Sequence, residues 1–253
     1  AEIHLRTLER DLHSGTYGGV APNAMEALCR LLMDLKGVDG RIHIRGLYDQ
    51  VVPPTEAELE AWRGLPFNVH EYMKEEVTST ALTGLKEYSI LERTWALPTF
   101  EIHGIMGGFT GEGAKTVIPA KAAAKVSLRL VPGLTRDGVQ AALEKTVQAL
   151  APTWAKGEVR ALHGADAVEV DVNAPAFAVL DRAFEEVVGR RTVSVRAGGS
   201  IPIVPKLGMT GAPVLLTGVG LPDDGLHSPN EKIAVQQIWD GIRVVGRFFE
   251  MMA

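Results

Sequence analysis

Lys121-Ala-Ala-Ala-Lys-Val-Ser-Leu-Arg-Leu-Val131 is the clearest strand signal in the chain. Val126, Leu128 and Leu130 fall on one face, and Lys125, Ser127 and Arg129 on the other, the alternation of a half-buried strand. Pro132-Gly133 ends it. Thr135 then caps a helix to about Leu150, with Val139, Leu143, Val147 and Leu150 on its buried face. Upstream, Thr99–Ile105 alternates and runs into a loop marked by Gly104, Gly107, Gly108, Gly111 and Gly113. Downstream, Glu158–His163 and Ala167–Val172 read as short strands. Residues 2–10 alternate as well, and His13-Ser-Gly-Thr-Tyr-Gly-Gly19 forms a glycine-rich turn. Pro22-Asn23 opens a helix with Met25, Leu28, Leu31, Leu32 and Leu35 at three- and four-residue spacing, closed by Gly37 and Gly40. Between them, residues 41–97 are less regular. Glu56 to Trp62 and Val69 to Glu76 look helical, punctuated by Pro53-Pro54 and Pro66, as in an insertion or surface elaboration. Segregated strands and helices of this kind predict an antiparallel sheet covered on one face by two helices, close to a ferredoxin-like α+β two-layer sandwich.

After Asn173-Ala174-Pro175 the pattern changes. Phe177–Val188 is an amphipathic helix, Thr192–Val195 a strand, Pro213–Gly218 a fully apolar strand and Ala234–Phe249 a long helix. Alternating strand and helix predicts part of an α/β domain with a parallel sheet. With two clear strands, that part looks incomplete. The domain expectation is therefore 1–174 and 175–253.

Composition excludes several functions. The 253 residues are 46% hydrophobic and 23% charged, as in an ordinary globular protein. Net charge is 26 − 31 = −5, which gives no electrostatic support to nucleic-acid or membrane-surface binding. No apolar run approaches the ~20 residues that span a bilayer. Cys29 is the only cysteine, so neither an intrachain disulfide nor a thiolate metal cluster can form. A reducing, cytoplasmic setting fits, and a cysteine-poor secreted protein would look the same. The first residues, Ala-Glu-Ile-His-Leu-Arg, read as a strand already under way and lack a signal-peptide pattern, so the chain is expected to start mid-protein.

Three segments carry chemistry. Gly218-Val-Gly-Leu-Pro-Asp-Asp-Gly-Leu-His-Ser-Pro-Asn-Glu231 follows a buried strand, where α/β folds place their sites. Its His227 lies near Asp223, Asp224 and Glu231, and imidazole beside carboxylates is metal-ligand material. Spacing alone favours a polar loop ending in a helix cap, with Ser228 or Asn230 as cap, since one histidine is not a metal site. Ala197-Gly-Gly-Ser-Ile-Pro202 lets backbone approach a ligand, and Ser200 can donate to an anion; it also reads as a tight turn. Arg129 projects from the polar face of its strand and Thr116 precedes it by a loop. Arginine plus hydroxyl suits a carboxylate, although a lone strand arginine is also an ordinary solvated residue.

Five motifs occur in order: His13-Ser14-Gly15…Gly18-Gly19, Lys115-Thr-Val-Ile-Pro-Ala-Lys121, Arg129-Leu-Val-Pro132, Gly198-Gly-Ser-Ile-Pro202 and His227-Ser-Pro-Asn-Glu231. Together they strongly resemble the di-zinc metallopeptidase family of peptidase clan MH. Carnosinase-like cytosolic dipeptidases are the nearest branch, with carboxypeptidase G, acetylornithine deacetylase and succinyl-diaminopimelate desuccinylase as wider relatives.

The resemblance implies a catalytic α/β domain interrupted by a lid that also makes a homodimer. Residues 1–174 look like the lid, and 175–253 like the C-terminal part of a zinc-peptidase catalytic domain. His227 matches the last metal ligand of a site for two zinc ions, with manganese or cobalt as alternatives. His13 matches the lid histidine that reaches the neighbouring active site and polarises the scissile carbonyl. Thr116, Arg129 and Ser200 match positions that hold the substrate's terminal carboxylate. The remaining metal ligands and the general-base glutamate of such enzymes precede the lid and have no counterpart here. Glu75-Glu76 and Glu185-Glu186 imitate the paired glutamates but sit on helical runs and read as solvated faces. The expectation is a dipeptidase acting on peptides or N-acyl amino acids with a free carboxylate, inactive as this chain alone, with no nucleic-acid or membrane partner. The alternative is a non-catalytic dimerisation and substrate-gripping module.

Overall fold

The computed structural model describes residues 1–197, 203–226 and 228–253. The strands in chain order are β1 (Glu2–Arg6), β2 (Leu12–His13), β3 (Thr99–Gly107), β4 (Val117–Ile118), β5 (Lys121–Arg129) and β6 (Lys156–Arg160). The helices are α1 (Ser14–Tyr17), α2 (Ala24–Leu35), α3 (Glu56–Arg63), α4 (Val69–Glu71), α5 (Ile90–Trp95), α6 (Arg136–Leu150), α7 (Pro175–Val188), α8 (Val204–Gly208) and α9 (Val235–Met252).

The chain packs into two units. The first takes Ala1–Pro53 and Thr83–Ala167, with Ala197; the second takes Pro54–Leu82, Val168–Arg196 and the described part of Ile201–Ala253. Residues 54–82, an apparent insertion in the first half of the sequence, thus pack with the second half.

The first unit holds a four-stranded sheet in the order β3-β5-β1-β6, every neighbouring pair antiparallel. This is the strand order of a ferredoxin-like βαββαβ sandwich, with α2 and α6 as its two helices, as the sequence pattern predicts. Alternation explains the layering. Ile3, Leu5, Ala122, Ala124 and Val126 turn inward and pack with Leu28, Leu31, Leu32 and Leu35 of α2 and Leu143 and Val147 of α6. Each such Leu, Ile or Val contributes about 1.5–3 kcal/mol on burial. Asn23 fixes where α2 starts by accepting from the Met25 amide at 2.9 Å, and Thr135 does the same for α6 through Gly138 at 3.2 Å. β3 lies at the sheet edge. Its pairing with β5 shifts between Ile102 and Gly104, leaving His103 as a bulge whose Nε2 meets Ser127 Oγ at 2.6 Å. The edge is apolar: Ile102, Ile105 and Met106 are exposed, as is Phe109 just beyond it.

The second unit is built on α7 and α9, which close over Leu180, Ala183 and Val244 with Phe184, Val187, Leu215, Phe248 and Met251 around them. The strands expected at Ala167–Val172, Thr192–Val195 and Pro213–Gly218 are not ladder strands among the described residues. The reason is physical: a strand is defined by a neighbour that takes its backbone hydrogen bonds, and these segments make no such ladder among the described residues, even where residues 168–171 and 212–214 line one cavity. The opposite side of α9 is also apolar, with Val235, Ile238, Trp239, Ile242, Val245 and Phe249 exposed along one stripe.

Candidate functional site

Pairing of β2 with β4 sets Leu12 opposite Ile118 and His13 opposite Val117. The Ser14 amide then donates to the Thr116 carbonyl at 3.0 Å, so His13, which ends β2, lies next to Thr116, the residue just before β4, and both are exposed. Asp11 anchors the same corner by accepting from the Ala120 amide at 2.9 Å. The His13 imidazole folds over Gly15: a Cβ there would lie 2.7 Å from His13 Cε1. Glycine at 15 is what gives the ring this place.

Arg129 is elsewhere. It ends β5 opposite Thr99, exposed, and pairs with no acid among the described residues. β4 enters β5 at Lys121, so Thr116 and Arg129 lie beyond opposite ends of that strand. Eight steps of β5 at ~3.4 Å separate the ends by about 27 Å. Within one chain, Thr116 and Arg129 cannot hold the same carboxylate. The structure brings His13 to Thr116 and leaves Arg129 apart.

Ser200 and His227 lie outside the described residues. The approaches to both are well defined. Arg196, four residues before Ser200, makes a bidentate ion pair with Glu58 of α3, Nε–Oε1 at 2.8 Å and Nη2–Oε2 at 3.0 Å. The guanidinium holds the Glu58 carboxyl at about 2, well below the carboxylate range. Before His227, the 3-10 turn Pro222–Asp224 is stitched by Asp224, whose Oδ2 accepts from the Leu221 amide at 2.7 Å and whose carbonyl accepts from the Lys232 amide at 2.9 Å. Asp224 is buried, and its Oδ1 has no hydrogen-bond partner among the described residues, though Lys232 Nζ lies 3.7 Å away. Asp223 is taken up by Lys232 at 2.7 Å, which lowers its pKa.

The family is settled by comparison with known sequences. The Peptidase dimerisation domain of M20 enzymes matches residues 1–155. The chain belongs to the M20 metallopeptidase family. The Beta-Ala-His dipeptidase of Rattus norvegicus is 32% identical over 251 residues, covering 98% of this chain and 51% of that protein. The Cys-Gly metallodipeptidase DUG1 of Saccharomyces cerevisiae is 34% identical over 247 residues, covering 95% of this chain and 50% of that protein. The solved structure of the yeast di-peptidase Dug1p superposes with a TM-score of 0.82 at 32% identity, over 98% of this chain and 52% of that one. The chain therefore spans about half the length of the curated relatives it matches.

The matched residues include His13, Thr116 and Arg129. A metal centre is not assembled by what is described: no group of three His, Cys, Asp or Glu side chains among the described residues could hold an ion. The two decoy pairs are surface charges as expected, Glu185 bridging to Arg191, Glu186 to Arg247 and Glu75 to Lys74. No helix among the described residues is long and apolar enough to cross a membrane. Sequence reasoning missed the Glu58–Arg196 pair and the His103–Ser127 bond. A capping pattern, Thr55 with Glu58 three residues on, was readable in the sequence, but nothing there shows that Glu58 has a second partner 138 residues away.

Proposed function

We propose that this chain is the lid, residues 1–174, and the C-terminal catalytic segment, residues 175–253, of a longer metal-dependent dipeptidase acting on peptides or N-acyl amino acids with a free C-terminal carboxylate. The observation that supports it best is the separation of His13 and Thr116 from Arg129 along β5. Two half-sites on one lid become a whole site when two lids meet, which suits a homodimer. In this reading His13 and Thr116 serve the neighbouring subunit. His13 donates to the carbonyl oxygen as it gains charge, and Thr116 donates to the substrate. Arg129 and Ser200 hold the terminal carboxylate; the guanidinium fork matches it in geometry and charge. His227 is this chain's one proposed metal ligand. The described residues do not by themselves supply the ligands of a two-metal centre, so the ion (zinc, with manganese or cobalt as alternatives), which would activate water, would need ligands beyond them. The apolar edge of β3 supports association through the lid. The lone, exposed Cys29 is compatible with a cytoplasmic setting.

Hydrolysis of free and amidated dipeptides by the longer protein tests this directly. Loss of the free-acid preference in Arg129→Ala supports the clamp. Equal loss on both substrates sinks it. The second reading, a non-catalytic dimerisation and gripping module, draws on the lack of a metal cluster among the described residues. The intact mass of the natural protein separates the two: about 27 kDa, the mass of this chain, favours the module, and roughly twice that favours the enzyme.

A further inference from the structure

Residues 54–82 sit inside the lid's sequence yet pack with the second unit. Two features of that packing are informative. At one end, α3 holds the segment that leads to Ser200. Glu58 grips Arg196 with both carboxylate oxygens, and this pair is only 29% and 13% exposed, so water screens it weakly. One turn on, Trp62 is buried and its indole Nε1 donates to the Ser194 carbonyl at 3.2 Å. Thus alternate residues of an extended segment, 194 and 196, are tied to two positions four apart on one helix face. That segment has no ladder neighbour among the described residues, so α3 supplies the partners a sheet would otherwise give. Thr55 and Glu58 form a capping box, which fixes the carboxylate before Arg196 arrives. At the other end, the π-helical turn Tyr72–Glu76 packs against the 3-10 turn Pro222–Asp224, which leads to His227.

We propose that residues 54–82 are a brace for two segments that lead into proposed site residues: Glu58 and Trp62 hold residues 194–196, shortly before Ser200 in the chain, while the turn at 72–76 backs the turn Pro222–Asp224, shortly before His227. Glu58 and Trp62 are positioning residues. They act through the backbone of residues 194–196. The inference rests on the dipeptidase reading for its catalytic consequence, and on the geometry alone for the anchoring.

Two measurements keep those apart. The first uses the 253-residue chain and limited trypsin digestion read by mass spectrometry. Arg190 is exposed and serves as the internal reference, whereas Arg196 is held by Glu58. Glu58→Gln keeps a capping side chain at its helix position but removes the charge. It should raise cleavage at Arg196–Ala197 relative to Arg190–Arg191 by about tenfold, the loss expected for one charge-assisted contact. Trp62→Phe, which keeps the buried ring and removes the indole donor, should do the same to a smaller degree. An unchanged ratio in both variants overturns the anchoring. The second uses the longer enzyme. Glu58→Gln should raise KM for free-acid dipeptides about tenfold, hold kcat within about twofold, and leave amidated dipeptides nearly unaffected. Equal effects on both substrates, or a fall in kcat alone, overturn the positioning role. Arg129→Ala is the control: if it does not discriminate free from amidated substrates, the carboxylate reading itself fails, and the proteolysis result still judges the brace.

Discussion

In the dimeric enzyme proposed above, mixing two inactive variants should restore activity. His13 and Thr116 sit at one end of the sheet and Arg129 at the other, with about 27 Å of strand between the ends of β5. One substrate cannot span that distance, so a working site takes His13 from one subunit and Arg129 from its partner. Consider His13→Ala mixed with Arg129→Ala. In each mixed dimer, one site receives an intact His13 and an intact Arg129, and the other receives both lesions. Random exchange at equal amounts makes half the dimers mixed, each with one of two sites working, so recovered kcat should be about a quarter of the parent value. Neither lesion should disturb folding. Both side chains are exposed and neither is held by an ion pair among the described residues, so each substitution should stay within about 0.5 kcal/mol of the parent in denaturant titration. The assay is steady-state hydrolysis before and after the variants are co-unfolded and refolded together. No recovery, with mixed dimers confirmed by native mass spectrometry, would refute the separated half-sites.

Other outcomes follow from single features. Gly15→Ala should displace the His13 ring, lowering activity of the longer enzyme at least tenfold with little change in thermal midpoint, because the clash is with the end of an exposed side chain; a lost fold instead would show that the backbone needs glycine there. Phe100→Ala, at a fully buried position of β3, should cost about 3–5 kcal/mol in urea titration. Glu58 is held at about 2 when folded against 4.5 unperturbed. Its contribution of about 3 kcal/mol is present above pH 4.5 and fades as pH falls toward 2. Urea titrations at pH 5 and at pH 3 should show that loss in the parent and not in Glu58→Gln. After dialysis the 253-residue chain should retain well under one zinc ion, measured by elemental analysis; two per chain would show that Asp223, Asp224 or Glu231 had been recruited.

The lid was readable because its signals are local. Alternation at 121–131 turned Ala122, Ala124 and Val126 inward, and Asn23 and Thr135 announced where α2 and α6 begin. The second unit was less readable. Val193 and Val195 have the composition of strand residues, but composition does not supply the neighbour that would make them one. The helical pattern from Glu56 to Trp62 says nothing of what Trp62 is buried against, since amphipathicity gives a direction and not a partner. Among the site residues, the adjacency of His13 and Thr116 depends on two strands of two residues each, too short for any periodic signal. The bulge at His103 is equally silent, because one extra residue in a ladder appears only once its partner strand is in register.

The bond from Glu58 to Arg196 spans 138 residues of chain. On the ribosome, at ~5–20 residues per second, α3 emerges roughly 7–30 s before its acceptor exists. Throughout that interval the nascent helix can cap itself through Thr55, but its tryptophan has nowhere to go. Its acidic neighbours, Glu56, Glu58, Glu60, Glu71, Glu75 and Glu76, keep the waiting segment charged and hydrated. The acid that later fastens the extended segment is first a solubility tag for an unfinished chain. Replacing several of these glutamates with neutral residues should therefore lower the yield of protein from synthesis more than it lowers the stability of the protein once made.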